Sequence, residues 1–195
     1  MSSIMGTTKS GERKLQILQA LAQMLEQPRG EKITTAALAR HLSISEAALY
    51  RHFASKAQMF EGLIEFIESS VFGVINQICE KEENGLLQTQ SVSMLLLNFA
   101  ERNPGMTRVM IGDALVNEDG RLQLRMNQFF DRVELTLRQC LRLAATQGQC
   151  REDMAQLKSN LIMSYVIGKL FRFVKTQFKE KPTDGMQAQI NYILA

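Results

Sequence analysis

Residues 44–53, ISEAALYRHF, place within ten positions several side chains that suit contact with a nucleic acid. The small residues Ala47 and Ala48 would let a helix backbone approach base edges in the major groove, where their methyl groups can touch a thymine methyl. Longer side chains with a donor at the tip reach phosphates instead. The residues of this stretch that carry such donors are Tyr50, Arg51 and His52.

A short helix must hold these side chains, and the flanking sequence predicts one. Ser45 followed by Glu46 is typical of an N-cap and an acidic first turn. Upstream, Thr34 or Thr35 offers a hydroxyl cap for a helix of about two turns over AALARHL. Two short helices joined by a turn of three or four residues, behind a longer helix, form a helix-turn-helix. In this motif the N-terminal half of the second helix enters the major groove.

Longer helices are predicted on both sides of the motif. Apolar residues at helical spacing indicate an amphipathic helix over 12–27, which Pro28 and Gly30 would end. Ser55 would cap another helix that begins at Lys56. The ammonium group of Lys56 adds a cation for a phosphate at the start of that helix.

Positive charge is concentrated near the motif. Residues 1–60 carry eight Lys or Arg against four Glu, a net of +4, whereas residues 61–195 carry −1. A module that binds a polyanion leaves this footprint, although a solvated basic face is the commoner cause. Ordinary packing within a three-helix unit is the alternative for Tyr50 and His52 taken singly. Spacing, caps and charge together favour DNA binding.

The composition narrows the class of protein. With 195 residues, 45% hydrophobic and 22% charged, the chain suits a globular fold of one or two domains. Its three cysteines are odd in number and lack CxxC spacing, which suits a reducing cytoplasm better than a disulfide framework or a zinc site. No apolar run approaches the length of a membrane span, and MSSIMGTTKS is too short and polar for a signal peptide. We expect a cytoplasmic protein with no membrane requirement, metal or cofactor.

Catalytic groups are sparse. Both histidines, His41 and His52, fall in the predicted DNA-binding segment. No glycine-rich loop opens a helix after a strand, and no cluster has metal-ligand spacing. An enzyme is therefore not predicted.

Phe66 is the candidate for contact with a protein partner. The helix after the motif has a buried stripe at helical spacing, and Phe66 lies roughly 120° from its centre. Small residues surround it on that flank, which makes a knob beside a shallow groove; a second core contact is the more usual alternative. The stripe consists of Phe60, Leu63, Ile64, Ile67, Val71, Val74, Ile75 and Ile78, and the small residues are Gly62, Ser69, Ser70 and Gly73.

The C-terminal half predicts a dimer. Residues 125–144 and 157–178 read as two long helices, the second apolar on nearly all sides. Such a helix has more apolar surface than one small domain needs to cover, and Gly168 would allow close approach of another helix. The residues expected at this surface are Ile162, Val166, Gly168, Leu170, Phe171 and Val174.

Residues 33–60, ITTAALARHLSISEAALYRHFASKAQMF, resemble the DNA-binding domain of the TetR family, through an L-Y-x-H-F pattern and a following Lys. The resemblance implies an all-α fold with a three-helix DNA-binding head over 1–56 and a helical dimerisation and partner-binding domain over 57–195. The family usually has Gly where this chain has Ser43, at a turn that often takes positive φ. From the motif and the resemblance together, the residues predicted to bind DNA are Thr34, Thr35, Ser45, Glu46, Ala47, Ala48, Tyr50, Arg51, His52 and Lys56.

A further resemblance, to the nucleoid occlusion factors of that family, is spread over Ile33–Ala36, Ser45–Lys56, Met59–Glu68, Glu101–Arg108 and Phe178–Asp184. Those proteins bind palindromic chromosomal DNA as homodimers, with more than one dimer per site. When bound to DNA, they antagonise polymers of the tubulin-like division protein FtsZ. The resemblance implies an FtsZ groove formed by Phe66, Leu95, Asn98, Arg102 and Asn103.

Two positions depart from the pattern of this groove. Asn98 stands where a smaller residue is expected, and Val74 stands where a basic one is expected. Arg102 also has a structural alternative, because a cation in the last turn of a helix complements the helix dipole.

A second function remains open at this point. A ligand-responsive TetR-type repressor releases its operator when a small molecule enters the C-terminal core. Asn160, Ser164 and Tyr165 would line such a pocket, although polar residues inside a fold are more often paired core or interface groups. Ligand-dependent release of DNA would distinguish this function from DNA-dependent binding of FtsZ.

Overall fold

The computed structural model describes residues 9–27 and 33–195, and these residues form nine α-helices and no strand. Two 3-10 turns, Asp113–Leu115 and Glu152–Met154, lie in the connections before and after the helix Gly120–Thr146. The helices are α1 (Lys9–Leu25), α2 (Thr35–His41), α3 (Glu46–Tyr50), α4 (Lys56–Lys81), α5 (Gly85–Arg102), α6 (Pro104–Met110), α7 (Gly120–Thr146), α8 (Ala155–Lys175) and α9 (Met186–Leu194).

The caps predicted in the head are present. The amide of Ala37 donates to Thr34 at 3.1 Å, so Thr34 rather than Thr35 is the cap of α2. Ser45 and Ser55 cap α3 and α4 in the same way. The first helix begins earlier than predicted and ends at Leu25, and the predicted stop at Pro28 and Gly30 lies outside the described residues.

The turn between α2 and α3 passes through Ser43 with a φ of 54°. This is the left-handed region, which glycine occupies freely and a residue with a Cβ enters at a cost. The amide of Ile44 donates to the carbonyl of Ala39 at 3.0 Å, so the chain closes the C-terminus of α2 despite the serine. The turn therefore keeps the positive φ that is common at this position in the family, and Ser43 bears the strain.

Helix α4 carries the buried stripe, with two corrections. Val74, predicted inside, is exposed, and Phe72, outside the prediction, is buried with its ring centroid 5.5 Å from that of Phe129. By length and composition alone α4 could cross a membrane, contrary to the sequence-based expectation that no apolar run is long enough. Its apolar side is the core of this fold, because Ile64 and Ile67 have no exposed surface.

Helices α7 and α8 pack side by side. Helix α7 extends beyond both of its predicted bounds, whereas α8 both begins and ends earlier than predicted. The predicted dimer surface on α8 needs correction, since four of its six members are buried within their own chain. Because this helix is apolar on nearly all sides, its sequence has no apolar and polar periodicity that would show which side is exposed. The buried members are Ile162, Val166, Leu170 and Val174, and the apolar residues that α8 exposes are Leu157, Leu161, Ile167 and Phe171.

The last helix, α9, was not predicted. It packs against α5 and α8 through Ile190, which has no exposed surface. Its weak signal is a run of apolar residues at Met186, Ile190 and Ile193, a spacing that fits one face of a helix. Gly185, with a φ of 70°, provides the turn that starts it.

Candidate DNA interface and partner groove

The outer face of α3 is free in the structure, and its inner face is anchored. Leu49 is fully buried and Phe53 nearly so, as their spacing of four residues requires for one inward face. On the outer side Ala47 is exposed and Tyr50 keeps 45% of its surface. Arg51, just after α3, is exposed as well. Ala47 and two of the predicted phosphate donors are therefore accessible, whereas Ala48 is half-buried.

Three of the predicted DNA-binding residues bind one another across the motif. The hydroxyl of Thr35 donates to Glu46 Oε2 at 2.7 Å. The hydroxyl of Tyr50 donates to Thr35 Oγ1 at 3.4 Å. This chain of bonds joins the first residue of α2 to both ends of α3. It links the two short helices on the exposed side of the motif.

His52 and Lys56 are less accessible than Arg51. His52 is half-buried beside an open cavity of about 460 Å³. The ammonium group of Lys56 forms a salt bridge with Glu118, which lies 62 residues further along the chain. The sequence offered no signal for this ion pair, because nothing local relates the two residues.

Phe66 is accessible, as predicted from its position off the stripe of α4, with 39% of its surface exposed. Its ring lines the same cavity of about 460 Å³, between α1 and α4, together with Leu18 and Phe53. The four predicted groove residues of α5 do not line that cavity. Helices α4 and α5 nevertheless pack against each other, so the two sides of the predicted groove belong to adjacent helices.

The α5 side of the groove is held by its own backbone and by α9. Asn98 donates to the carbonyl of Met94 at 2.8 Å and lies 4.0 Å from the sulfur of Met186. Asn103 donates to the carbonyl of Phe99 at 2.7 Å. Two of the predicted groove amides are therefore occupied internally, whereas Leu95 is half-buried and Arg102 is exposed.

The end of α5 is also tied to the segment before α9. Glu101 accepts a hydrogen bond from Thr183 and forms a salt bridge with Lys181 at 3.4 Å. The hydrogen bond from Thr183, with a smaller contribution from Lys181, lowers the pKa of Glu101 below its ordinary value. Glu101–Arg108 and Phe178–Asp184, two of the segments that carry the family resemblance, therefore meet in space.

The residues suggested for a small-molecule pocket face outward. Asn160 and Ser164 are exposed on α8. Tyr165 is partly buried and donates to Gln189 at 2.7 Å, and burial raises its pKa. These three residues do not line an interior cavity, which removes the observation that favoured a ligand-responsive repressor.

The cysteines are free thiols, and they form no metal site with their neighbours. Cys79 and Cys140 approach to 4.0 Å between sulfurs, and burial raises the pKa of Cys140 to about 12. Such a thiol stays protonated and unreactive at neutral pH. Within residues 9–27 and 33–195, no three His, Cys, Asp or Glu side chains are grouped so as to hold a metal ion.

A capped helix-turn-helix head on a helical body, with an accessible α3, defines a DNA-binding regulator of the TetR type. A family profile described as "Bacterial regulatory proteins, tetR family" matches residues 17–63, and one described as "Tetracyclin repressor-like, C-terminal domain" matches residues 83–195. A TetR regulator from Haloarcula marismortui has a similar fold, with a TM-score of 0.78 at 14% identity over 94% of this chain and 96% of that one. The regulator PfmR from Thermus thermophilus gives a TM-score of 0.74 at 21% identity, over 91% and 96% of the two chains.

Closer relatives identify the branch of the family. The nucleoid occlusion factor SlmA of Idiomarina loihiensis is 52% identical over 91% of both chains. The SlmA proteins of a Marinomonas species and of Aliivibrio fischeri are each 48% identical, over 91% and 93% of both chains respectively. This chain belongs to the SlmA family of nucleoid occlusion factors, within the TetR family. The predicted all-α TetR fold and the predicted family are confirmed.

Proposed function

We propose that this protein binds palindromic chromosomal DNA as a homodimer and, while bound, antagonises FtsZ polymerisation, so that no septum forms over the nucleoid. The observation that carries the proposal is the accessible outer face of α3 in a chain 52% identical to a nucleoid occlusion factor. The role is one of binding rather than catalysis. It places the protein in the cytoplasm, on the nucleoid.

A head formed by residues 1–56 would bind DNA. A body formed by residues 57–195 would form the dimer and bind FtsZ. Ala47 and Ala48 would face base edges, with Ser45 and Glu46 beside them at the N-terminus of α3. The hydroxyl of Tyr50 and the guanidinium of Arg51 would reach phosphates. The remaining contacts of the head would come from Thr34, Thr35, His52 and Lys56.

The homodimer would form on the outer faces of α7 and α8. The four apolar residues that α8 exposes keep between 38% and 58% of their surface, and they recur at the spacing of one helical face. Gly168 lies on the same face, where a Cβ would meet no atom within 4 Å beyond the adjoining turns of its own helix. A twofold dimer sets two copies of α3 about one DNA turn apart, which calls for a palindrome. By analogy with the family, two dimers would bind one DNA site.

The FtsZ groove would lie between α4 and α5. Phe66 offers an exposed ring on one side, and Arg102 an exposed cation on the other. An exposed apolar ring on one helix and an exposed guanidinium on the next would suit a peptide that alternates apolar and acidic residues. Leu95 would line the floor, and Asn98 and Asn103 the wall.

The test is the fluorescence anisotropy of a labelled C-terminal tail of FtsZ titrated with the protein. Each titration is run with and without a palindromic duplex that the protein has selected from a random pool. We expect the duplex to strengthen binding of the tail, and Phe66→Asp or Arg102→Asp to abolish it. Tyr192→Asp and Arg142→Asp are the matched controls, since both residues are exposed and lie outside the proposed groove.

A protein that holds the duplex but never binds the tail would contradict the FtsZ part of the proposal. Failure to select any duplex would contradict the DNA part. Loss of tail binding in the control variants would show that the groove is misplaced.

A further inference from the structure

Lys56, the first residue of α4, is already engaged in the structure where the sequence predicts a phosphate contact. Its ammonium group binds Glu118, and the two side chains are only 22% and 13% exposed. The ring of Phe60 lies 5.6 Å from the same nitrogen. With so little water around it, this pair is screened by salt less than a surface pair. A phosphate that binds Lys56 must therefore compete with a carboxylate of the protein itself.

Glu118 belongs to the α6–α7 loop, residues 111–119, which is also fastened at its other end. Asp113 accepts hydrogen bonds from Arg108 Nε at 2.7 Å and from Lys175 Nζ at 2.9 Å. Burial raises the pKa of Asp113, but the hydrogen bonds from Lys175 and Arg108 outweigh this and leave it below its ordinary value. Asp113 is therefore charged at neutral pH and holds the end of α8 to the loop.

The same loop reaches the first helix of the head. Arg108, bound to Asp113, also donates to the carbonyl of Leu25 at 3.1 Å. Leu25 is the last residue of α1, where the helix dipole favours a cation. A connected set of polar contacts thus joins the end of α1, the start of α4 and the end of α8, and every contact passes through the α6–α7 loop or Arg108.

The loop is loosely packed beside Glu118. An open cavity of about 220 Å³ lies there, lined by Ile33, Phe60 and Val116 among others. Asn117, directly before Glu118, has a φ of 65°, a left-handed conformation that asparagine tolerates better than most residues. Val116 and Asn117 are exposed, so close packing does not fix this part of the loop.

We propose that Glu118 competes with the DNA backbone for Lys56, and that DNA binding thereby releases the α6–α7 loop from the head. The inference rests on the proposed function only in that the head must bind DNA. When a phosphate takes Lys56, Glu118 is left half-buried without its partner, which is unfavourable until the carboxylate moves into water. Because Asp113 of the same loop holds Lys175, DNA occupancy then alters the end of α8. The body thereby senses whether the head is occupied.

The first experiment removes the competing carboxylate. Glu118→Gln and the wild type are titrated, at several salt concentrations, with a labelled mixed-sequence duplex, on which only backbone contacts count. We expect the variant to bind roughly threefold to tenfold more tightly at low salt, with a salt slope close to that of the wild type, because Lys56 contacts a phosphate in both complexes. Glu65→Gln is the matched control, because it removes one exposed carboxylate from α4 at no cost to Lys56, and its affinity should stay close to that of the wild type.

A double-mutant cycle assigns the gain to the pair. In a Lys56→Ala background, Glu118→Gln should no longer tighten binding, since there is no ammonium group left to release. A gain of equal size in that background, or no gain in either, would overturn the competition. A wild-type protein that fails to bind the duplex at all would instead contradict the proposed function.

Hydrogen exchange tests the release of the loop and needs no substitution. Amides of residues 111–119 in the wild type should exchange faster when the duplex is bound than when it is absent. In Glu118→Gln they should already exchange fast without DNA. Unchanged exchange in this segment on a saturating duplex would contradict the release.

Discussion

The left-handed conformation of Ser43 lowers the stability of the head through a single residue. Glycine adopts a φ near 54° freely, whereas serine pays for its Cβ. We predict that Ser43→Gly raises the free energy of unfolding by about 0.5–1 kcal/mol, after allowing for the greater freedom of glycine in the unfolded chain. Urea denaturation measures the change. Ser91→Gly, at an exposed helical position of α5, should lower stability by a similar amount, and a gain there would contradict this account.

In the proposed DNA complex, Ala47 would control how closely α3 approaches a base edge. Ala47 is exposed in the first turn of α3, and its methyl group is not part of the buried core. We predict that Ala47→Leu abolishes selection of the palindrome while binding to mixed-sequence DNA persists, a loss of about tenfold or more in specific affinity. Competition binding with both duplexes measures this. Ala36→Leu, exposed on α2, is the control; a variant at Ala47 that still selects the same site would place α3 outside the groove.

At the scale of elements, local signals were predictable and distant ones were not. The caps at Thr34, Ser45 and Ser55 depend on residues three positions away, so the sequence contains them in full. The outer face of α8 depends on which neighbours pack against an almost uniformly apolar helix. The contact of Lys56 with Glu118 depends on a fold that brings the α6–α7 loop to the start of α4. Among the candidate site residues, the exposure of Phe66 followed from helical phase, but the internal bonds of Asn98 and Asn103 did not.

The contacts of Glu101 with Thr183 and Lys181, which join α5 to the segment before α9, should depend on pH. Because the pKa of Glu101 is lowered in the fold, its contribution to stability is present above the ordinary carboxyl pKa and is lost as the pH falls through the lowered value. We predict that the free energy of unfolding falls more steeply between pH 5 and pH 3 in the wild type than in Glu101→Gln, by a few tenths of a kcal/mol, because the pair is partly exposed to solvent. Urea titrations across this range measure it, and parallel curves would show that these contacts add nothing.

At the scale of the whole molecule, recognition of a palindrome requires two heads at a fixed distance. One chain presents a single α3, so the second must come from a partner held by the body. The α6–α7 loop lies between the head and the end of α8, and α8 carries the proposed dimer face. The ion pair between Lys56 and Glu118, the α6–α7 loop and α8 are therefore adjacent parts of one structure, and in the proposed dimer we expect the spacing of the two heads to respond to all three.

The proposed pairing of two heads depends on the exposed apolar face of α8 as the dimer interface. Leu161 and Phe171 are exposed on α8, so charging both leaves the core of one chain intact. We predict that Leu161→Glu with Phe171→Glu gives a folded monomer whose affinity for the palindrome falls by at least about 100-fold, since the second head no longer binds from a high effective concentration. Light scattering measures the mass, circular dichroism the helix content, and anisotropy the affinity. Leu87→Glu, an exposed position on α5, should remain dimeric. A double variant that stays a dimer would move the interface away from α8, and with it the route by which the α6–α7 loop reaches the second head.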